Sequence, residues 1–304
     1  MTRISTFAAN QSALADLMKA QRSVFEAQKQ LITGKRATDL KGVGHEAETL
    51  QATRAAQARS MAYEQAGIRA AARLEAQDTA LNNLTDAAND LRTAVTTKDG
   101  NYVMHQVREA FYKVANALNT KHAGTYLFGG TRSDVLPVNA QTLDDLLPLG
   151  AASDVFQHND RRPTVQLDTH ITVEVGMLAS EAGGELMDSF KRIIDFENGV
   201  NGPFDQPMTS TQEAFILGEV SSIITAMDNL FTKVGEAGAT AAHVDTLIAS
   251  HEDRQTFLDR FIGELEDVDM ADAATRFQQA QTALDVSART FSSLSQVSLL
   301  PFLR

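Results

Sequence analysis

All six prolines of this 304-residue chain lie at 137, 148, 163, 203, 207 and 301, leaving 1–136 and 208–300 without one. Proline lacks an amide proton and clashes with the preceding helical turn, so helix interiors expel it. The distribution predicts long helices at both ends of the chain and an irregular, β-containing middle.

The sharpest helical pattern lies at 258–300. Met270, Phe277, Leu284 and Phe291 fall seven residues apart, and Ala273, Ala280, Ser287 and Leu294 run three positions on. A heptad stripe with large residues at one seam position and mostly small ones at the other suits a helix lying along another helix. Such a helix is marginal alone in water, and the best partner within the chain is a first helix over 4–32. There Leu17, Val24 and Leu31 are spaced by seven, with Phe7 and Leu14 on the adjoining seam, followed by Gln21 and Gln28; Met18 and Phe25 widen the apolar face. Residues 1–60 hold nine Lys/Arg against five Asp/Glu, and residues 251–304 hold five against nine. Opposite charge and matching stripes predict that the two ends pair, parallel or antiparallel, with screening limiting the charge contribution to register.

Between the ends, three glycines within 34–44 turn the chain. A long helix is expected over 45–97, with Leu74, Leu81, Ala88 and Val95 at sevens and Leu84 and Leu91 between. At ~1.5 Å per residue it is a rod on the order of 80 Å. Met104, Val107, Phe111, Val114 and Leu118 mark a third helix ending near Gly124, and an apolar strand follows at 125–131. Val165 and Leu167, then Ile171, Val173 and Val175, alternate about a turn and predict a β-hairpin over 164–167 and 171–175. A short helix at 185–196 and a Gly/Pro loop to Met208 lead to a helix over 211–234. Glycines at 235 and 238 are expected to break it before a last long helix from Ala239, interrupted around 266–269. The expected segments are an axial stretch 1–44, a helical rod 45–134, an outer β-containing domain 135–207, the rod's second half 208–264, and a second axial stretch 265–304.

Composition excludes several chemistries. With no cysteine there is no disulfide, Cys-ligated zinc or thiol nucleophile. A net charge of −12 argues against binding nucleic acid or an anionic membrane. The N-terminus shows no cleavable secretory signal, and no run is expected to approach a membrane span. The G-x-G-x-x-A match at 42–47 follows a charged loop instead of a strand, so it reads as a helix-starting turn. His45-Glu46 has Thr49 where H-E-x-x-H needs its second histidine, and His243 and His251 stand too far apart to share a metal. The histidines read as surface residues. The acidic run Glu264, Glu266, Asp267, Asp269, Asp272 lacks the glycine and glutamate of a calcium loop and reads as a solvated face or a charged contact between subunits. No nucleophile motif is present. The expectation is a protein without catalytic, cofactor-binding or metal residues.

Several motifs, in order and at the termini, resemble those of the flagellin superfamily of bacterial flagellar axial proteins, most closely its hook-filament junction members. They are ISTF (4–7) with LITGKR (31–36), GTYLFGG (124–130), EDVDMA (266–271) and VSLLPFL (297–303). The stretch DLKGVG (39–44) departs from the pattern usual in filament flagellins. The resemblance covers about 1–135 and 210–304. It implies a mainly α, elongated flagellin-like fold with a small β-rich insertion and terminal helices paired as a coiled coil. It further implies a structural subunit joining hook to filament, exported to the extracellular flagellum without a cleavable signal. Its partners would be neighbouring copies in a ring, the hook-side hook-associated protein 1, flagellin and a cytosolic export chaperone. Filament flagellin is the alternative within the superfamily, and a coiled-coil secretion or signalling protein the alternative outside it. The expected assembly interface is Leu14, Leu17, Val24 and Leu31 with Phe277, Leu284, Phe291 and Leu294.

Overall fold

A computed structural model of the chain describes residues 2–37, 44–97, 99–132 and 134–296. The closing VSLLPFL motif (297–303) and the first two residues of the G-x-G-x-x-A match lie outside that set, as does the side chain of Phe7. The fold is mainly α, with two small antiparallel hairpins. Six α-helices are described: α1 (Thr2–Thr33), α2 (Ala47–Thr96), α3 (Gly100–Leu118), α4 (Ala179–Glu197), α5 (Ser210–Glu266) and α6 (Met270–Gln296). Strands β1 (Lys121–His122) and β2 (Thr125–Tyr126) form one hairpin, and β3 (Thr164–Asp168) and β4 (Ile171–Glu174) the other. The chain divides into two compact units, one comprising Met1–Arg59 with Arg254–Arg304, the other Ser60–Asp253.

The Ser60–Asp253 unit holds the large core. Leu81, Leu84, Leu91 and Val95 of α2 pack with Val107, Phe111, Val114 and Leu118 of α3, with Leu186, Phe190 and Ile193 of α4, and with Ile216 and Ile223 of α5. Phe111 meets Phe190 edge-on, ring centroids 5.2 Å apart at 89°, an arrangement that places a positive ring edge on a negative face. Arg192 of α4 makes a two-pronged ion pair with the buried Glu219 of α5, at 2.7 and 3.0 Å. The expected β3–β4 hairpin is present, with Val165 opposite Val173 and a register shift between Gln166 and Asp168. Leu167 and Val175 seat it in a second cluster with Ala70, Leu74 and Val244.

His251 is buried, contrary to the surface position expected of it. Its Nε2 lies 2.6 Å from the Leu167 carbonyl and its Nδ1 3.2 Å from the Ser60 hydroxyl. With its proton on Nε2 the ring donates to the Leu167 carbonyl, and the single Ser60 hydroxyl proton is shared between Nδ1 and the His251 carbonyl, each 3.2 Å away.

Other expectations are corrected as well. α5 runs unbroken through Gly235 and Gly238. A glycine inside a helix costs only about 1 kcal/mol against alanine, and between these two Ala237 is buried in the core. α4 begins at Ala179, six residues before its expected start, because Glu181 accepts the Leu178 N–H at 3.0 Å and caps the first turn. Gly183 within it lies so close to Leu118 that a Cβ would stand 2.6 Å from the leucine methyl. Of the strand expected at 125–131, only Thr125 and Tyr126 pair. They form an unforeseen hairpin with β1 around Ala123 (φ 49°) and Gly124 (φ 81°), while Leu127 and Phe128 turn into the core. An 18-residue stretch of α5 is long and apolar enough, by composition, to cross a membrane, which corrects the expectation that no run approaches a span. A core helix has the same composition: Ile216, Ile223 and Leu230 of α5 are buried in protein.

Candidate assembly interface at the chain termini

In the unit made of both chain ends, α1 packs along α6. The Arg36 N–H donates to the Glu266 carbonyl at 2.7 Å, and the Val268 N–H donates to the Gly34 carbonyl at 2.9 Å. The end of α1 therefore adjoins the start of α6, and the two helices run antiparallel. Of the two orientations open at the sequence level, this one is adopted.

The seam follows heptad spacing on both helices. On α6, Ala273 is buried, and Phe277, Ala280, Leu284, Ser287, Phe291 and Leu294 are half-buried; Met270 is half exposed and lies off the contact. On α1, Leu17, Val24 and Leu31 are half-buried, and between them Ala13, Ala20 and Ala27 are buried. Leu14 is 41% exposed, outside the seam that the sequence suggested for it. The reason is steric. Phe277, Leu284 and Phe291 already supply volume from α6, and alanine at the alternate α1 positions lets the backbones approach. The signal was legible, since 13, 20 and 27 are themselves heptad-spaced, but a stripe defined by large residues passes over them. Met18, Phe25 and Ile32 are 59%, 66% and 75% exposed, so they widen no buried face within the chain.

At the foot of this pair, the LITGKR and EDVDMA motifs meet. Glu266 is only 3% exposed and accepts from Lys35 Nζ at 2.6 Å and from Arg54 of α2. Arg36 Nε donates to the Asp267 carbonyl at 3.0 Å, and Gln30 Nε2 donates to the Arg36 carbonyl at 2.9 Å. Glu266 is thus a buried intrachain acceptor, which corrects its reading as part of a solvated face or a contact between subunits. Two cations on one nearly dry carboxylate satisfy the charge that burial would otherwise penalise. Asp269 of the same motif accepts the N–H groups of Ala271 (2.8 Å) and Asp272 (3.3 Å), capping α6. Sequence reasoning found both motifs but not that Lys35, Arg54 and Glu266 form one cluster, because the partners are separated by most of the chain.

Among the described residues, no group of His, Asp and Glu is placed to hold a metal ion. The arrangement instead offers a paired seam, a charged clasp, and apolar side chains left in solvent.

Residues 217–303 match the bacterial flagellin C-terminal helical region. A comparison with curated proteins found no match. Among solved structures, the chain is similar to a Vibrio parahaemolyticus protein described as a flagellar hook-associated protein. The TM-score is 0.59 at 17% identity, over 73% of this chain and 97% of the other. It is also similar to FlgL of Bacillus cereus, with a TM-score of 0.50 at 12% identity, over 65% of this chain and 98% of the other. The likeness to flagellin in sequence lies in residues 217–303, and the fold is shared with these two solved structures.

Proposed function

We propose that this chain acts as hook-associated protein 3, a structural subunit that joins hook to filament in the bacterial flagellum. The observation that carries the reading is the state of the terminal pair. α1 and α6 are clasped to each other, yet the seam is only half-buried, and Met18, Phe25 and Ile32 project into solvent. A heptad surface incompletely buried within one chain gains burial on assembly. Leu17, Val24, Leu31, Phe277, Leu284, Phe291 and Leu294 would serve axial pairing, and Leu14, on the outer side, would serve subunit stacking. The partners would be neighbouring copies in a ring, hook-associated protein 1, flagellin and a cytosolic export chaperone. Export would proceed through the flagellar type III apparatus to the extracellular structure. Such a subunit needs no cofactor and performs no catalysis.

The match to a flagellin C-terminal region favours a second reading, a filament flagellin that self-polymerises. Deleting the gene separates the two, with electron microscopy of the cells and a flagellin blot of the medium. Hooks without filaments, with flagellin shed as monomer, are the expected result. Filaments that persist, shortened or intact, mean a redundant flagellin, and unchanged flagella place the protein outside the organelle.

A further inference from the structure

Within the Ser60–Asp253 unit, α5 buries Ile216, Ile223 and Leu230 but leaves Leu217, Ile224 and Phe231 59%, 43% and 52% exposed. These three fall seven residues apart. With Ser221 and Asp228 between them they form one line along the helix, at spacings of four and three. Glu213 extends the line by one turn. Its only charges are therefore negative, since Lys233, two positions past Phe231, donates to Glu236 at 2.9 Å.

In the unit of both chain ends, α1 carries the matching line. Met18, Arg22, Phe25, Lys29 and Ile32 follow the same four-three spacing, and all five are exposed. Each line is about 21 Å long at 1.5 Å per residue. Each holds three large apolar side chains at heptad intervals, with cations between them on α1 and a carboxylate between them on α5. Among the described residues, no ion pair engages Arg22, Lys29, Glu213 or Asp228. Apolar side chains in water beside unpaired charge favour a partner with the same interval and the opposite sign. A second α5 would set carboxylates against carboxylates, a second α1 would set cations against cations, and an anionic membrane would repel Glu213 and Asp228.

We propose that the exposed line of α1 in one copy of the chain packs on the exposed line of α5 in the next copy. Phe25 meets Ile224, and a cation of α1 pairs with Asp228. Phe25 and Ile224 are the midpoints of their lines, so they meet whether the helices run parallel or antiparallel. Asp228 then faces Lys29 in the first case and Arg22 in the second. The contact is heterologous: each copy presents one surface of each kind, so it propagates into a ring or a filament and does not stop at a pair. The inference rests on the reading of α1's outer stripe as an assembly surface and supplies the surface that it meets.

The chain has no cysteine, so disulfide trapping between full-length single-cysteine variants tests the contact. Phe25→Cys mixed with Ile224→Cys should crosslink faster than Phe25→Cys mixed with Val200→Cys, an exposed residue off both lines. Adding Arg22→Glu and Lys29→Glu to the Phe25→Cys chain should slow the reaction about tenfold. Asp228→Lys in the Ile224→Cys chain should then restore it in part. Trapping no faster than the Val200→Cys control, or unchanged by charge reversal, overturns the proposal. So does either variant crosslinking with itself as fast as the mixture, which would mean that like lines meet. If Leu284→Asp abolishes incorporation into flagella but no disulfide forms, the terminal assembly surface stands and this contact falls. If the disulfide forms but deleting the gene leaves flagella unchanged, the contact stands and the flagellar role falls.

Discussion

Lys35 and Glu266, 231 positions apart in the chain, meet at 2.6 Å. The contact joins the turn that ends α1 to the turn that begins α6, and Arg54 of α2 closes on the same carboxylate. Three segments are thereby clasped at the foot of the α1–α6 seam. Each charge-assisted hydrogen bond is worth about 1.5–3 kcal/mol, and the half-exposed cations reduce that figure here.

Glu266→Gln keeps the volume and removes the charge. It should destabilise the terminal unit by about 1–3 kcal/mol, read as faster amide exchange at 31–36 and 266–271 while the core of the Ser60–Asp253 unit stays protected. Unchanged exchange at Val268 and Arg36 would show that the ion pairs contribute nothing measurable.

Ala20 and Phe25 separate the inner seam from the outer stripe. Ala20→Leu overpacks the buried seam and should cost about 1–3 kcal/mol, loosening α1 from α6. Phe25→Ser, on an exposed side chain, should stay within about 0.5 kcal/mol in the monomer and yet impair assembly. Leu284→Asp, on the seam, should leave the Ser60–Asp253 unit folded but abolish incorporation into flagella. Normal filaments formed with Leu284→Asp would refute the terminal seam as an assembly surface.

Asp269 caps α6 through the Ala271 and Asp272 amides. Asp269→Ala should cost about 0.5–2 kcal/mol and fray the first turn of α6, whereas Asp269→Ser should recover most of the loss. Equal circular dichroism and equal melting for all three proteins would rule out the cap as a contributor.

Acid should loosen the Ser60–Asp253 unit. The Thr142 amide, opposed by burial and helped by the Gln141 amide, holds the Asp145 carboxyl below its ordinary range. Glu181 is held low against its burial by Arg162, the Leu178 amide and the Lys233 charge. Both depressed values mean stability that is present above the ordinary carboxylate range, about pH 4, and is lost as pH falls through the folded values. Melting followed from pH 6 to pH 2.5 should decline below about pH 4, with a shallower fall in Asp145→Asn and Glu181→Gln. Parallel profiles in wild type and variants would assign the acid loss to other groups.

The order of helices, the β3–β4 hairpin and the interruption before α6 were legible because proline exclusion and the 3.6- and 2-residue periods act within a few residues. Local signals failed where another segment decided the outcome. Gly235 and Gly238 read as a break, but burial around Ala237 carries the helix through. Histidine and glutamate are polar on any scale, yet His251 and Glu266 are buried because Ser60, Leu167, Lys35 and Arg54 supply their hydrogen bonds. A heptad count places Leu14 and Ala13 equally well beside α6. Which of them turns inward depends on the volume of Phe277, Leu284 and Phe291 on the facing helix, and close packing admits the alanine and leaves the leucine in solvent.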